Sequence, residues 1–522
     1  MSQCELGSLI ANALPTNVKV TARHVSSTPT PCAALFAPPP GETSEATYCE
    51  NHFLVVSATV CDGDGHGPER EVIVFGVEVL VYSTAHLTTV FVSKADSTGY
   101  LHLLKNAPKA SLLRHISTAF LGHLIETRQR PGVRLVLSLF ARAQNQYLFP
   151  GSIEYTGKHV LDDRALIKWW CRVVDPILRQ REPESISRDK DSLEQSKESA
   201  KSSATGFLIV PGCDKFETRS FFPTTTKSDS RDHPRWVNDY PLWQLCANPK
   251  APSRCLVPRF PDDPKTRFLI DLDDEISEPE PDAAGGIANG GQWRSVKTLD
   301  QFWEMMSFRQ ECSAGRLVGF LWLVINPPGL VNSTSMETNS HRDEASHAAE
   351  KVNNNPIHRK AKASSVLTCP SQETPTPNDQ DNPFTWPESG RGHIVLSDQD
   401  YKTAVDFFLQ QDFADYNVAT ASTKAWVDKV ASLADELWFG EVVVGNKTIS
   451  LNASGLPETT NNLLDAGLIR KRKKLTQGEH DNAAADPEEK KTDGEGRTEP
   501  VSSQEPPVNV LGGGLIRKKK KT

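Results

Sequence analysis

Four short β-branched runs, each bounded by Gly, Pro, Asp or Ser, constrain the fold of this chain more than any other feature. They lie at residues 52–60, 72–83, 89–94 and 134–140. Runs of this kind read as strands. Between the third and the fourth, Leu112, Leu113, Ile116, Phe120 and Leu124 recur at helical spacing, and Pro108 suits the opening of that helix. A second helix is predicted over 163–178, with Leu166, Trp170, Val173 and Ile177 as its stripe and Asp162 or Asp163 as its cap. A third covers about 298–311 through Leu299, Phe302, Trp303 and Met306. Residues 317–325 (LVGFLWLVI) read as a buried strand, although so short an apolar run also fits a helix. Ser397 suits the N-cap of a helix carrying Tyr401, Val405, Phe408 and Leu409, and a last helix runs through Trp426, Val430 and Leu433.

The breaks between these elements are as informative. Of 522 residues only 38% are hydrophobic, and 36 prolines and 32 glycines cluster outside the apolar stretches. That composition predicts a real core diluted by disordered segments. Residues 181–203 are charged and serine-rich, 271–292 combine an acidic run with a glycine-rich connector, and 328–392 are dominated by Asn, Ser, Thr and Pro. Each is expected to be a disordered insertion. The expectation is therefore one domain over 1–452, a mixed α/β core built from several segments, followed by a disordered tail over 453–522. The tail repeats itself: GLIRKRKK at 467–474 returns as GLIRKKKK at 514–521. Basic runs of this type read as nuclear-import signals. Two copies that both keep the Leu-Ile pair also fit a linear binding motif whose cations meet an acidic partner.

Several functions are excluded at this level. A net charge of −8, from 58 basic and 66 acidic residues, argues against a global grip on nucleic acid. No apolar run is long enough to span a bilayer. The N-terminus lacks the basic region of a secretory signal. Ten cysteines form no CxxC and no zinc-finger spacing, so reduced thiols and no metal site are expected. G-x-S-x-G, Walker A, H-E-x-x-H and the deaminase signature are absent, and Gly63-Asp-Gly65-His-Gly67 reads as a turn.

What remains is a set of dense clusters: FVSKADSTGY at 91–100, QYLFP at 146–150, KHVL at 158–161, KWW at 168–170, YPLWQ at 240–244 and FPDDPKTRF at 260–268. Taken singly, each has an ordinary structural reading. Asp96 is a turn former, the paired tryptophans are core, and Asp262-Asp263-Pro-Lys265 is an Asx turn or a solvated loop. Trp169 and Trp170 stand about 100° apart on a helix, so the stripe explains one of them and leaves the other to line a cavity.

Together, and in this order, the six clusters resemble the fungal histone H3 acetyltransferases of the regulator-of-Ty1-transposition type. The resemblance covers about residues 50–325, and FPDDPK-R-F and FVSKAD-x-x-GY carry it most strongly. It implies a mixed central sheet surrounded by helices, similar in fold to the CBP-type acetyltransferases. It also implies a nuclear enzyme that moves acetyl from acetyl-CoA to core and tail lysines of H3 in newly made H3–H4. The family is linked to nucleosome assembly, DNA replication, transcription and the DNA damage response. Implied partners are H3–H4 and two kinds of histone chaperone, the anti-silencing type and the nucleosome-assembly-protein type. No membrane and no sequence-specific DNA contact are implied. The alternative is an inactive histone-chaperone adaptor on the same fold.

The site follows residue by residue from the same resemblance. Asp263 is the acid/base, with Asp262 and Asp96 as supporting acids. Trp170 walls the lysine tunnel, and Tyr147 faces the thioester sulfur. Acetyl-CoA lies along Ala95, Asp96 and Ser97, Phe140, His159, Val160 and Leu161, and Trp169. Arg142 contacts phosphate, with Lys105 and Lys109 as further candidates. Lys265 is the position of autoacetylation. The segment matching the family's long loop before the fourth strand is short here, about 126–133.

Overall fold

The structure is a computed structural model that describes residues 5–61, 69–104, 112–184, 201–276, 292–309, 312, 316–328, 330 and 386–448. All of them fall within one unit of the chain, Met1–Thr460. The turn at 63–67, Lys105, Lys109 and both basic repeats lie outside the described residues.

Eleven strands form one sheet. They are β1 (Lys19–Ser27), β2 (Thr30–Cys32), β3 (Thr47–Cys61), β4 (Glu69–Ser83), β5 (Leu87–Ser97), β6 (Arg134–Ala141), β7 (Ser203–Ile209), β8 (Trp236–Val237), β9 (Gly319–Asn326), β10 (Ile394–Leu396) and β11 (Glu441–Val444). The spatial order is β10-β1-β3-β4-β5-β6-β9-β7-β8, with β11 also on β1 and β2 on β3. The sheet is mixed: β5/β6, β1/β10 and β7/β8 run parallel, and the remaining pairs are antiparallel. The helices are α1 (Leu6–Ala13), α2 (Leu112–Arg128), α3 (Asp163–Arg179), α4 (Lys215–Arg219), α5 (Leu242–Leu245), α6 (Pro264–Asp273), α7 (Leu299–Ser307), α8 (Asp398–Leu409) and α9 (Tyr416–Leu433). A mixed sheet surrounded by helices is the predicted architecture.

Both faces of the sheet are covered, which is why the 317–325 run is apolar throughout. On β9, Leu321, Leu323 and Ile325 join the core formed with α1, α2, α3, α8 and α9, while Phe320, Trp322 and Val324 join a second core under α6 and α7. All eight residues of β9 are buried. A strand buried on two faces loses the polar alternation of a half-exposed one.

The predicted capping residues do their work. Asp162 accepts from Ala165 N at the start of α3, and Ser397 accepts from Asp400 N at the start of α8. Thr298 and Gln301 form a capping box on α7, which ends at Ser307, short of the predicted 311.

The edges of the expected insertions belong to the fold. Glu182 N donates to Ser202 O, and Arg181 is ion-paired with Glu126. Ser203 begins β7 rather than ending a loop. The acidic run begins inside α6, where Asp273 accepts from Trp293 Nε1 at 2.8 Å. Trp386 donates to Glu50 at 2.8 Å. The stretches 185–200, 277–291 and 331–385 lie outside the described residues.

Candidate active site

The site is placed by the way two parallel strands part. β5 and β6 pair from Leu87↔Arg134 to Val92↔Leu139. Beyond that, β5 continues to Ser97 against β4, and β6 continues to Ala141 against β9. A bulge marks the parting: Lys94 lies opposite Glu78 and Val92 opposite Val79, which leaves Ser93 as the extra residue on β5. Bulges bend a strand and increase its twist. The parting falls at the carboxyl ends of two parallel strands, the place where open α/β sheets bind ligands.

Asp96 stands at this end of β5. Its Oδ2 accepts from Tyr147 N at 2.7 Å and Leu148 N at 3.1 Å, and its Oδ1 accepts from Ser97 N at 2.8 Å and Lys158 Nζ at 3.0 Å. The Lys158–Asp96 pair is buried, with side chains 3% and 9% exposed. Four donors from the chain itself surround the carboxylate expected to be a supporting acid. Asp96 fastens the QYLFP turn and the KHVL segment to β5. Gly99 belongs to the same fastening: its φ is +93°, and a Cβ there would lie 2.5 Å from Lys158 N. Tyr147, so held, donates its hydroxyl to Arg142 O at 2.6 Å. Burial pushes the Tyr147 hydroxyl well above its ordinary pKa, so it stays protonated at neutral pH.

α3 descends on the adjoining strand end. Asp163 accepts from Ala143 N at 3.0 Å and pairs with Arg316 at 3.0 Å. Gly319 marks the contact, since a Cβ there would lie 2.8 Å from Ile167 Cγ1. Trp170 is 5% exposed and packs edge-on against the half-buried Trp169, ring centroids 4.8 Å apart. Trp170, Tyr147, Ala95 and Trp169 all belong to one apolar cluster.

The FPDDPK segment closes the other face. Phe260 stacks on Phe91 of β5 at 4.1 Å, and Phe91 lies 6.3 Å from Phe140 of β6. Asp263 is the N-cap of α6, accepting from Lys265 N at 2.9 Å, with Pro264 at the first helical position. The expected Asx turn is therefore present. Asp263 Oδ2 also receives Lys265 Nζ in an ion pair whose side chains are 1% and 2% exposed. Lys265 Nζ lies 4.4 Å above the Phe320 ring. Burial lowers the Lys265 pKa, against the pull of Asp263. Asp262, at φ +58°, is largely exposed and pairs with Lys94 at 3.0 Å.

Two consecutive residues of β9 thus take the two halves of the site: Gly319 meets Ile167 of α3, and Phe320 lies under Lys265 of α6. Trp170 belongs to the first core, while Lys265, the partner of Asp263, lies over Phe320 of the second. Among the described residues no hydrogen bond or ring contact joins Trp170 to Asp263. His159 is exposed, while Val160, Leu161, Ser97 and Arg142 are half-buried. The Arg142 guanidinium makes no ion pair among the described residues.

YPLWQ does not join the site. Tyr240 is core, donating to Leu256 O at 2.6 Å and meeting Trp322 edge-on, and Trp243 is exposed. A cavity of about 280 Å³, with Phe36, Tyr82, His86 and Gln244 among its lining residues, lies at the other end of β5 and β6 and contains none of the predicted residues. No cluster of metal-ligating side chains occurs among the described residues. Sequence reasoning missed Lys94, Glu78, Lys158 as the partner of Asp96, and Arg316. Glu78 left a signal: it is a lone acid in the apolar run of β4, and such an acid needs a partner.

The fold is a mixed α/β sheet with a buried acid–amine pair beside the ends of two parted parallel strands. A family model for the histone acetyltransferase KAT11-type domain matches residues 6–133 and 129–429, and the chain belongs to this family of histone acetyltransferases. It is 57% identical over 564 aligned positions to histone acetyltransferase rtt109 of Aspergillus flavus, covering 99% of each chain. The Schizosaccharomyces pombe rtt109 is 30% identical over 58% of this chain and 67% of its own. Among solved structures, that of Rtt109 from Aspergillus fumigatus superposes with a TM-score of 0.72 at 64% identity, covering 85% of this chain and all of that one. The enzyme is a histone acetyltransferase, and acetyl-CoA is the co-substrate its family implies.

Proposed function

We propose that the enzyme acetylates lysines of histone H3, in the core domain and the tail, within newly made H3–H4 in the nucleus. In this reading its work feeds nucleosome assembly behind replication, transcriptional control and the response to DNA damage. It receives its substrate from anti-silencing-type and nucleosome-assembly-protein-type chaperones. The observation that carries the site assignment is convergence: Ala95–Ser97, Phe140, Tyr147, α3 and the FPDDPK loop all border the ends of β5, β6 and β9.

The reaction is attack of a lysine amine on a thioester. The N–C bond forms, the C–S bond breaks, the ammonium proton leaves, and the thiolate takes up a proton. Free lysine titrates about 3 units above neutrality, so deprotonation costs roughly 4 kcal/mol at pH 7. Asp263 accepts the proton. Asp262 adds negative charge at the mouth, and Trp170 walls the path of the lysine methylenes. Tyr147, kept protonated by burial, supplies the proton to the sulfur once it releases the Arg142 carbonyl. Asp96 positions Tyr147. Acetyl-CoA lies along Ala95–Ser97, Phe140, His159–Leu161 and Trp169, with a phosphate on Arg142.

Lys265 carries the regulatory modification. Unmodified, its ammonium occupies Asp263. Acetylation removes that charge from a buried place and frees the carboxylate. The test is acetyl transfer to chaperone-bound H3–H4 by wild type, Asp263→Ala and Trp170→Ala. Both variants should lose most of the activity, and near-wild-type rates in both would overturn the assignment.

A further inference from the structure

A chain of charged contacts runs from Tyr401 on α8 through Glu78 and Lys94 to Asp262 in the FPDDPK loop, and the mechanism above uses only Asp262 of it. Glu78 lies in an apolar strand and is 6% exposed. Its Oε1 receives the hydroxyl of Tyr401, on α8, at 3.4 Å, and its Oε2 receives Lys94 Nζ at 3.2 Å. Lys94 is directly opposite Glu78 in register, at the bulge that parts β5 from β6. Its Nζ also reaches Asp262 Oδ2 at 3.0 Å and Ser93 Oγ at 3.3 Å. Lys94 Nζ therefore stands between a fixed carboxylate behind it and a loop carboxylate in front.

The two ends differ in freedom. Glu78 is set in the middle of the sheet, while Asp262 is 64% exposed and sits at φ +58°, a left-handed state uncommon outside glycine though more frequent for Asp than for most residues. Lys94 gives the Asp262 side chain a fixed partner. Burial alone would lower the Lys94 pKa, but the Glu78 and Asp262 charges outweigh it and raise the value, so the bridge is charged at neutral pH.

We propose that Lys94 is the positioning residue of the catalytic loop: by bridging Glu78 and Asp262 it fixes Asp263, one residue on, relative to the Ala95–Ser97 edge over which the thioester lies. Asp262 then acts through Lys94 and not by taking the substrate's proton. This rests on the reading of Asp263 as proton acceptor. A misplacement of about 1 Å in such a geometry costs on the order of a hundredfold in rate.

The test is steady-state acetyl transfer to an H3 peptide, across pH, by Lys94→Met, Lys94→Arg, Asp262→Asn, the Lys94→Met/Asp262→Asn double variant and Asp263→Asn. Lys94→Met and Asp262→Asn should each lower kcat about tenfold or more, with KM for acetyl-CoA within about twofold and the acid limb of the pH profile unmoved. The double variant should be no slower than the slower single one, because both cut one connection. Lys94→Arg, which keeps the charge, should retain about half the wild-type kcat or more. Losses that multiply in the double variant, or wild-type kcat in either single variant, would overturn the inference. So would an acid limb that disappears in Asp262→Asn alone. Should Lys94→Met fail to fold with Glu78 unpaired, Asp262→Asn and Lys94→Arg still decide the matter, since Asp262 is exposed. Asp263→Asn separates the two claims. Full activity there removes the base assignment, while an inactive Asp263→Asn beside a fully active Lys94→Met removes only the role of Lys94.

Discussion

Asp96 illustrates how a single carboxylate is committed. Its oxygens take one lysine and three backbone amides, so the charge holds neighbouring segments in place. Asp96→Asn leaves Lys158 buried without its counter-charge. The expected cost is about 3–5 kcal/mol, read as a fall in thermal stability together with weaker acetyl-CoA binding. An unchanged melting temperature would remove the fastening role. Lys158 contacts of this kind explain why the FVSKADSTGY cluster is dense: Asp96 and Gly99 are both required by one turn meeting KHVL. The density was legible in the sequence. Which oxygen meets which donor was not, because Tyr147 and Lys158 lie far from Asp96 along the chain.

At the scale of elements, β1 is the instructive strand. Lys19, Arg23 and His24 give it a polar look, and it was not predicted, yet eight of its nine residues are buried. Its charged and ring groups find partners on distant segments: Arg23 in Glu71, and His24 in His52 at 3.0 Å. The face of His24 and His52 also holds Glu50, ion-paired to Arg128 and bonded to Trp386. Burial, helped by neighbouring cations, keeps His24 well below the ordinary histidine value, and burial also lowers His52 and brings His123 to about 4. Burial would raise Glu50, but the charges of its neighbours bring it down to about 2. At pH 7 His52 is neutral, so Arg128 is the cation that matters there.

All four shifts act in one direction. The unfolded chain takes up protons near 6.5 on the histidines and near 4.5 on the glutamate, before the folded chain does. Stability is therefore whole above about pH 6.5, declines below it, and falls more steeply from about pH 4.5 toward 2. Thermal unfolding between pH 8 and pH 3.5 should trace this decline, and a melting temperature that rises from pH 7 to pH 5 would contradict it. By contrast β3, β4, β5, β6 and β9 were legible, since their apolar residues need no partner chemistry to be recognised.

At the scale of the whole molecule, the site is a property of one end of the sheet. Six clusters far apart in sequence were read as one constellation, and five of them border that end; the sixth, YPLWQ, builds the core beneath α7. The tail adds a separate prediction. If the GLIRKKKK copy engages the chaperone–histone complex, deleting 512–522 should weaken acetylation of chaperone-bound H3–H4 more than acetylation of a free H3 peptide. Equal losses on both substrates, or none, would count against that role.

Where the coenzyme sits decides the account most directly. A crystal structure of this protein with acetyl-CoA should place the thioester over Ala95–Ser97 between the parted ends of β5 and β6, beside Tyr147 and with phosphate on Arg142. Acetyl-CoA found instead in the 280 Å³ cavity at the opposite ends of those strands, against Phe36, Tyr82 and Gln244, would contradict it.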